Sequence, residues 1–213
     1  MARWFTSDTH FSHANIIQFC DRPFADVEEM NNKIVNRINE LVSPNDELWI
    51  LGDLAMGDIA KSLSVVSRIL AEKVIVLGNH DRAHPYYGSK HALWFDKYLA
   101  ETKAKTMYAG NTSITLKDGT LAQVSHFPYT GRLDNPKAVD RNGKVIEGDK
   151  FEKYRVLDDG SWLICGHVHE KWAVQKRQIN VGLDAWGGDP VSEDTIIEII
   201  SGGPQDKPRI VWK

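Results

Sequence analysis

The sequence has little cysteine, no long hydrophobic run and almost no excess of charge of either sign. Its 213 residues include two cysteines, Cys20 and Cys165, which lie far apart and outside a C-x-x-C spacing. The simplest interpretation of this usage is two reduced, partly buried thiols. No apolar stretch approaches the roughly 20 residues that a membrane-spanning helix needs, so we expect no membrane partner.

The formal net charge is -3, so no global field favours nucleic acid or an anionic membrane, although a local basic patch remains compatible with it. The N-terminus leads directly into a candidate strand, Arg3–Ser7, without a signal-peptide pattern, and a cytoplasmic location is the default expectation. We find no internal repeat, low-complexity segment or linker, and therefore expect a single domain over residues 1–213.

The first part of the chain alternates short apolar runs with amphipathic stretches. Candidate buried strands are Arg3–Ser7, Leu48–Leu51 and Val74–Leu77. Between them, apolar residues recur at helical spacing, first at Val27, Met30, Ile34, Ile38 and Leu41, then at Leu63, Val66, Ile69 and Leu70. Asp26 and Glu29 are spaced as a capping box, and Asp58 is a candidate cap for the second helix. This order predicts a mostly parallel, layered α/β domain with right-handed crossovers.

The second part predicts a helix, a hairpin, further strands and a long polar segment. We expect a helix over 91–99, a hairpin of Thr112–Leu116 and Leu121–Ser125, and strands at Trp162–Cys165, within Val174–Gly182 and at Thr195–Ile200, with Ile210–Trp212 as an added edge strand. Residues 127–160 are predicted to form a polar excursion over the site. Its cations are either solvated or partly substrate-facing, and they are Arg132, Lys137, Arg141, Lys144, Lys150, Lys153 and Arg155.

Polar side chains follow several candidate strands at the point where each strand ends. They are Asp8, His10, Asp53, Asn79, His80, His126, His167 and His169. Parallel strands place these ends on one edge of a sheet, where ligands usually bind. Carboxylate, imidazole and amide groups together suit Mn²⁺, Fe²⁺ or Zn²⁺. Eight groups are too many for one ion, but they fit two ions that share a carboxylate, with one residue left for proton transfer.

The ordered set of motifs resembles the calcineurin-like metallophosphoesterases. The motifs are Asp8-x-His10, Gly52-Asp53, Gly78-Asn79-His80-Asp81, His126 and Gly166-His167-x-His169. The resemblance implies an α/β fold, a four-layer sandwich of two mixed β-sheets flanked by helices. It also implies that Asp8, His10 and His169 hold one metal ion, that Asn79, His126 and His167 hold the second, and that Asp53 bridges the two. A hydroxide between the ions would attack phosphorus, and His80 would contact the phosphate and protonate or stabilise the leaving oxygen.

Departures from the family pattern narrow the subgroup. Met56 and Gly57 stand where protein serine/threonine phosphatases have Asp and Arg, so the carboxylate partner of His80 is open, with Asp81 or Asp58 as candidates. Met56 also replaces the metal-binding Tyr of purple acid phosphatases. The stretch from Phe11 to Ile17 resembles small phage and bacterial phosphoesterases.

Three further residues receive expected roles near the site. His13 is either a phosphate contact, a donor to a metal ligand, or a loop residue that faces solvent. Asp81 either orients His80, which we favour, or caps the following segment. Asp184 is expected to hydrogen-bond to a ligand histidine.

The expected function is a dinuclear metal-dependent phosphodiesterase that acts on nucleotide or cyclic-nucleotide phosphodiesters. Mn²⁺ is the favoured ion, with iron, zinc, nickel or cobalt as alternatives. The competing interpretations are a phosphomonoesterase, a nuclease on short RNA or DNA, and a catalytically silent binding scaffold. The sequence leaves the natural substrate and the oligomeric state open.

Overall fold

The computed structural model describes residues 1–129 and 150–212. In this part of the chain, strands β1 to β11 span Arg3–Thr6, Glu47–Ile50, Glu72–Val76, Thr106–Tyr108, Thr112–Thr115, Leu121–Val124, Trp162–Cys165, Val174–Lys176, Gln178–Asn180, Val191–Ser192 and Gln205–Lys207. Helices α1 to α5 span Ala14–Phe19, Val27–Leu41, Ile59–Val66, Ala92–Thr102 and Glu193–Ser201. Short 3-10 turns lie at Pro85–Lys90, Glu152–Tyr154 and Leu183–Ala185.

The first sheet has the strand order β10-β1-β2-β3-β4. Strands β1 to β4 are parallel, with Phe5 opposite Trp49 and Trp49 opposite Val74, while β10 runs antiparallel to β1. Helices α2 and α3 lie between β1, β2 and β3 in the chain, as the alternating pattern predicts, and α4 leads into β4, a strand that the sequence analysis did not predict. Asp26 caps α2 by accepting a hydrogen bond from the Glu29 N–H, whereas Asp58 begins α3 without a side-chain cap bond.

The second sheet has the strand order β11-β8-β9-β7-β6-β5. The predicted hairpin is β5 and β6, which are antiparallel, and β6, β7 and β9 run parallel to one another. The stretch 174–182 contains two strands, β8 and β9, rather than one. The expectation of two mixed sheets flanked by helices is therefore confirmed.

Two apolar layers hold these elements together. Alternate strand residues such as Phe5, Trp49 and Val74 meet Val124 and Ile164 of the second sheet. The opposite face of the first sheet packs against the buried sides of α1 to α4. The period of two along each strand explains how one strand serves both layers.

Three sequence predictions are wrong. Residues 195–200 are part of helix α5 and not a strand, because Ser192 caps a helix whose Ile196 and Ile199 are buried one turn apart. Leu70 lies beyond the end of α3 and is 62% exposed. The edge strand is β11, and Ile210 makes only an isolated bridge with Trp186.

The predicted polar excursion lies largely outside the described residues, which resume at Lys150. From there, Phe151 stacks on Phe127 with ring centroids 5.1 Å apart, so the end of the segment lies beside the loop that follows β6. Among residues 1–129 and 150–212, no helix is long and apolar enough to cross a membrane.

Candidate metal centre

The ends of strands from both sheets meet at one edge of the molecule. The loops after β1 and β2 are joined by hydrogen bonds from the Asp8 N–H to the Gly52 carbonyl and from the His10 N–H to the Asp53 carbonyl, both 3.0 Å. The two sheets are joined by the His167 N–H, which donates to Asp8 Oδ2 at 3.0 Å. This bond fixes the distance between ligand candidates that lie 159 residues apart.

One carboxylate oxygen, Asp53 Oδ2, lies at the centre of the converging side chains. It is 3.7 Å from His10 Nε2 and 3.5 Å from His126 Nε2. The other oxygen, Oδ1, accepts a hydrogen bond from the His80 N–H at 2.8 Å. Asp53 is therefore oriented so that one oxygen faces two imidazoles from opposite sides of the site.

Asp8, His10 and His169 form one half of the site. Their potential ligand atoms all lie within 4.8 Å of one another, and His169 Nε2 is 3.7 Å from Asp8 Oδ1. The rings of His10 and His169 stack with centroids 5.1 Å apart. Asp8 Oδ1 and both ring nitrogens of His10 are buried and have no hydrogen-bond partner among the described residues.

Asn79, His126 and His167 form the other half. His126 Nε2 is 3.0 Å from Asn79 Oδ1, and the His126 and His167 rings have centroids 5.2 Å apart. His126 Nδ1 lies 2.6 Å from the Leu51 carbonyl oxygen, which can only accept a hydrogen bond. Nδ1 is therefore the donor to this carbonyl, and Nε2 is the ring nitrogen that faces Asn79 Oδ1 and Asp53 Oδ2.

Burial and neighbouring charges set the protonation of the site. Burial lowers the pKa of His10 and His167 well below the usual value, and adjacent histidines lower it further. Burial raises the pKa of Asp8, and the Asp53 carboxylate adds to this effect. Burial alone would lower the pKa of His169, but Asp8 and Asp184 raise it well above the usual value.

Backbone geometry at the strand ends is unusual for residues with side chains. Five of the seven ligand candidates have positive φ, namely Asp8 at 55°, His10 at 47°, Asp53 at 52°, His167 at 71° and His169 at 49°. This left-handed region costs ordinary residues of order 1–3 kcal/mol, and clusters of such residues are typical of functional sites. Asp and His adopt it more readily than most residues do.

Gly52 is required where the loops after β2 and β3 touch. Its φ is +88°, and a Cβ atom there would lie 2.8 Å from His126 Nδ1 and 2.6 Å from the Gly78 Cα. A side chain at Gly52 would therefore displace both Gly78, which follows a strand of the first sheet, and His126, which follows a strand of the second.

His80 and His13 lie at the mouth of the site and differ from the buried ligand candidates. The His80 side chain is 44% exposed, and its Nε2 is 4.0 Å from Asp53 Oδ2. The His13 ring centroid is 5.4 Å from that of His10. Both imidazoles are placed where a molecule approaching from solvent would meet them.

The comparisons with known proteins decide the family. The family model described as Calcineurin-like phosphoesterase matches residues 1–171. The chain belongs to the calcineurin-like phosphoesterase family. Membership supports a phosphoric ester hydrolase that works with divalent metal ions.

Relatives of similar length support this family assignment. The chain is 41% identical over 208 residues to the uncharacterized protein MJ1445 of Methanocaldococcus jannaschii, covering 92% of this chain and 90% of that protein. It is 32% identical over 216 residues to the Gene 66 protein of Mycobacterium phage L5, covering 93% of each. The crystal structure of AQ665, a protein of unknown function from Aquifex aeolicus, has the same fold, with a TM-score of 0.65, 24% identity and coverage of 93% and 98%.

The residues present fit the divalent ions that calcineurin-like phosphoesterases use. Two carboxylates, Asp8 and Asp53, are buried at 0% and 1% exposure, and burial lowers the pKa of the neighbouring His10 and His167. Buried charges of like sign are costly unless a cation neutralises them. The unpartnered atoms of Asp8 and His10 are therefore available as ligands, and both halves include an oxygen and imidazole nitrogens.

Asp81 has a different position from the one expected. Its carboxylate accepts hydrogen bonds from three backbone N–H groups, those of Gly78, Asp53 and Leu54, at 2.8–3.0 Å. It makes none with His80 in the part of the chain that the structure describes. Asp81 thus ties the loop after β3 to the loop after β2. Asp58, the other candidate partner of His80, has a side chain 61% exposed beside Lys61.

A network behind His169 contains residues that sequence reasoning missed. His169 Nδ1 donates to Asp184 Oδ2 at 3.1 Å, as expected for Asp184. Arg22 is fully buried and donates to both Asp184 oxygens at 2.8 and 2.9 Å and to the Asp8 carbonyl at 2.7 Å. Trp212 donates its indole N–H to Asp184 Oδ1 at 3.1 Å. The only sequence signal for Arg22 is a cation directly after an apolar helix, which is too common to single it out.

An aromatic–cation surface, formed by Tyr86, Lys150, Phe151, Lys153 and Tyr154, lies beside the second half of the site. The Phe151 ring is 5.7 Å from that of His167 and 5.0 Å from that of Tyr86, which is 38% exposed. Lys150 Nζ is 4.6 Å from the Phe151 ring centroid, and Lys153 Nζ is 4.8 Å from that of Tyr154. Rings and ammonium groups therefore extend from a ligand candidate to the surface.

Proposed function

We propose that this protein is a phosphodiesterase that uses two divalent ions and acts on nucleotide or cyclic-nucleotide phosphodiesters. The observation that carries the proposal is the position of Asp53 Oδ2 between His10 Nε2 and His126 Nε2, at 3.7 and 3.5 Å. A single oxygen between two imidazoles from different sheets is the arrangement that a shared ligand of two ions requires.

The two ions would be held by the two halves of the site. Asp8, His10 and His169 would hold one ion, Asn79, His126 and His167 the other, and Asp53 both. When bound, the ions would supply Lewis acidity for the phosphoryl oxygens and lower the pKa of a coordinated water. Imidazole-rich ligand sets favour Mn²⁺ over Mg²⁺, so Mn²⁺ is the ion proposed.

His80 would act on the phosphate and the leaving oxygen. Its backbone N–H is fixed to Asp53 Oδ1, and its exposed imidazole projects over the shared carboxylate. From Nε2, His80 would donate a hydrogen bond to a phosphoryl oxygen and then a proton to the leaving oxygen. His13, beside His10, would contact the same phosphate from the other side.

The aromatic–cation surface supports a diester of a nucleoside. A phosphodiester carries two substituents, and the second needs a binding surface beyond the ions. An exposed ring such as Tyr86 can stack on a nucleobase, and Lys150 can pair with a further phosphate. Both features adjoin His167 through Phe151.

A substrate panel with Mn²⁺ tests this proposal. We expect bis-p-nitrophenyl phosphate to be hydrolysed with a kcat/KM at least tenfold above that of p-nitrophenyl phosphate. We also expect activity on 2′,3′- or 3′,5′-cyclic nucleotides. Preference for the monoester would identify a phosphomonoesterase, and no turnover with two ions bound would identify a binding scaffold.

A nuclease on short nucleic acid is the second candidate, because Lys150 contacts the exposed ring of Tyr86 and Lys153 contacts the partly buried ring of Tyr154. Binding to several phosphates releases counterions and makes affinity fall steeply with salt. A nuclease would cleave short RNA or DNA with a KM that rises strongly between 50 and 200 mM salt. A mononucleotide enzyme would show a weak salt dependence and leave the oligonucleotide intact.

A further inference from the structure

Residues 208–212 return to the metal centre after the last strand. The Ile210 N–H donates to the Ala185 carbonyl at 2.8 Å, and Ile210 forms an isolated parallel bridge with Trp186. This pairing directs Trp212 toward Asp184, which follows β9. The family model ends at residue 171, so these contacts belong to a part of the chain that it does not match.

Trp212 completes the hydrogen bonding of a buried carboxylate. Asp184 Oδ1 accepts from Arg22 Nε and Trp212 Nε1, and Oδ2 accepts from Arg22 Nη2 and His169 Nδ1. The Asp184 side chain is fully buried, so its carboxylate depends on these protein donors. Four donors leave this carboxylate a single orientation, and that orientation sets the direction of the His169 ring.

The position of Trp212 is itself determined by its neighbours. Its ring packs edge-to-face on Phe24 with centroids 5.4 Å apart, and the Arg22 guanidinium carbon lies 5.6 Å from its centroid. Gly188 lies directly against the ring, and a Cβ atom at this position would overlap it. Phe24, Arg22 and Gly188 thus form a fitted seat for the indole.

We propose that Trp212 is a positioning residue that acts through Asp184 on His169 and sets the ion affinity of the half formed by Asp8, His10 and His169. The inference rests on the ion binding of the proposed function. In the half formed by Asn79, His126 and His167, His126 is oriented by the Leu51 carbonyl and not through Asp184, so we expect the effect of Trp212 to fall mainly on the first half.

The test is a calorimetric titration of the metal-free full chain with Mn²⁺. Trp212→Phe keeps an aromatic ring on Phe24 but removes the indole N–H donor. Replacement of a partner behind a metal ligand typically lowers affinity by 10–100-fold, and we expect about tenfold at one of the two ions. The Mn²⁺ affinity of the other half of the site should stay within about twofold of the wild-type value.

Trp162→Phe is the matched control, because Trp162 is a partly buried residue of β7 at the end of the strand remote from Gly166. It should bind both ions as the wild type does. Gly188→Ala is a second test variant, because its Cβ atom would displace the Trp212 ring without changing the indole itself. We expect the same selective loss of one ion in this variant.

The outcomes separate this inference from the proposed function. If the wild type binds two ions and Trp212→Phe binds both with wild-type affinities, Trp212 only packs against its neighbours. This result would overturn the inference and leave the proposed function intact. Equal weakening of both ions, accompanied by a lower melting temperature, would show general destabilisation and would also overturn it. A wild-type chain that binds no Mn²⁺ would overturn the proposed function together with the inference.

Discussion

Among single residues, Asp53 is the side chain on which both halves of the site depend. Asp53→Asn keeps the shape of the side chain but removes the charge and places an amide at one oxygen position. Because Oδ2 faces His10 and His126 alike, we expect the loss of both ions rather than one. Metal analysis after desalting should give well under one ion per chain, whereas the exposed control Asp58→Asn should retain two.

His80 should separate ion binding from turnover, because it is exposed and lies outside both ligand halves. We expect His80→Gln to retain both ions and to lower kcat by about 10²–10⁴-fold, the usual range for loss of a general acid. Steady-state kinetics and metal content of the same preparation provide the measurement. His91→Gln, a variant at the start of α4, serves as the control with unchanged kcat. Loss of metal in His80→Gln with normal turnover per bound ion would contradict the role assigned to His80.

The sequence predicted the ligand candidates that follow apolar runs. It did not predict the residues that position those ligand candidates through hydrogen bonds. Asp8, Asp53 and His126 each lie two or three residues after the end of a short strand, so their convergence could be predicted. Arg22 and Trp212 are 162 and 28 residues from Asp184, and no local pattern links them to it. Polar residues in partner networks are recognised only when the packing is known.

Among the structural elements, the loops after β2 and β3 are fitted to each other at Gly52. Gly52→Ala introduces a Cβ atom against Gly78 and His126 and also strains a backbone with φ of +88°. We expect a loss of stability well beyond the 1–2 kcal/mol of the strained backbone, together with weaker ion binding. Chemical denaturation and Mn²⁺ titration measure the two effects.

Gly119 supplies a matched control for this prediction. It lies in the turn between β5 and β6 with φ of +91°, and a Cβ atom there meets nothing within 4 Å. Gly119→Ala should therefore show the backbone effect alone, with ion binding unchanged. Equal behaviour of the two variants would mean that the contact between the loops is unimportant.

The helices show where pattern reasoning succeeds and where it fails. Helix α2 has a cap, acidic residues in its first turn and apolar residues at helical spacing, and the predicted cap at Asp26 and the predicted helix after it are both correct. Helix α5 contains four isoleucines in six residues, which favours a strand by propensity. A helix forms instead, because Ser192 caps it and its first turn contains the acidic residues Glu193 and Asp194. Without such flanking residues, a short apolar run fits a helix and a strand equally well.

For the whole molecule, ions should contribute to stability as well as to activity. Chelation leaves the buried carboxylates of Asp8 and Asp53 without a cation, so we expect a lower melting temperature. At 100-fold excess of Mn²⁺ over its Kd, binding stabilises by about 2.7 kcal/mol. For a domain of this size that corresponds to roughly 5–10 °C. Differential scanning calorimetry of chelated and Mn²⁺-loaded protein measures this shift, and equal midpoints would contradict it.

The activity that returns after chelation should depend on which ion is added. After chelation, we expect Mn²⁺ to recover more phosphodiesterase activity than Mg²⁺ does, because imidazole ligands disfavour magnesium. Titration of the chelated enzyme with each ion provides the measurement. Better recovery with Mg²⁺ would indicate a site in which the histidines are not ligands.

For the whole molecule, the sequence predicted the fold class but not the order of the strands in the second sheet. Alternation of strands and helices indicated the parallel strands β1 to β3, whereas β4 was not predicted. The order of the second sheet, in which β9 lies between β8 and β7, depends on long-range pairing that has no local signal. The single-domain organisation over 1–213 stays a prediction.

The left-handed backbone of the five ligand candidates constrains how this protein can be improved. At each position glycine would relax the chain, and at each position glycine would delete a ligand. Selection or engineering for thermal stability in the absence of metal ions should therefore drift toward glycine or asparagine at Asp8, His10 and Asp53, and produce proteins that are more stable without ions but no longer bind them.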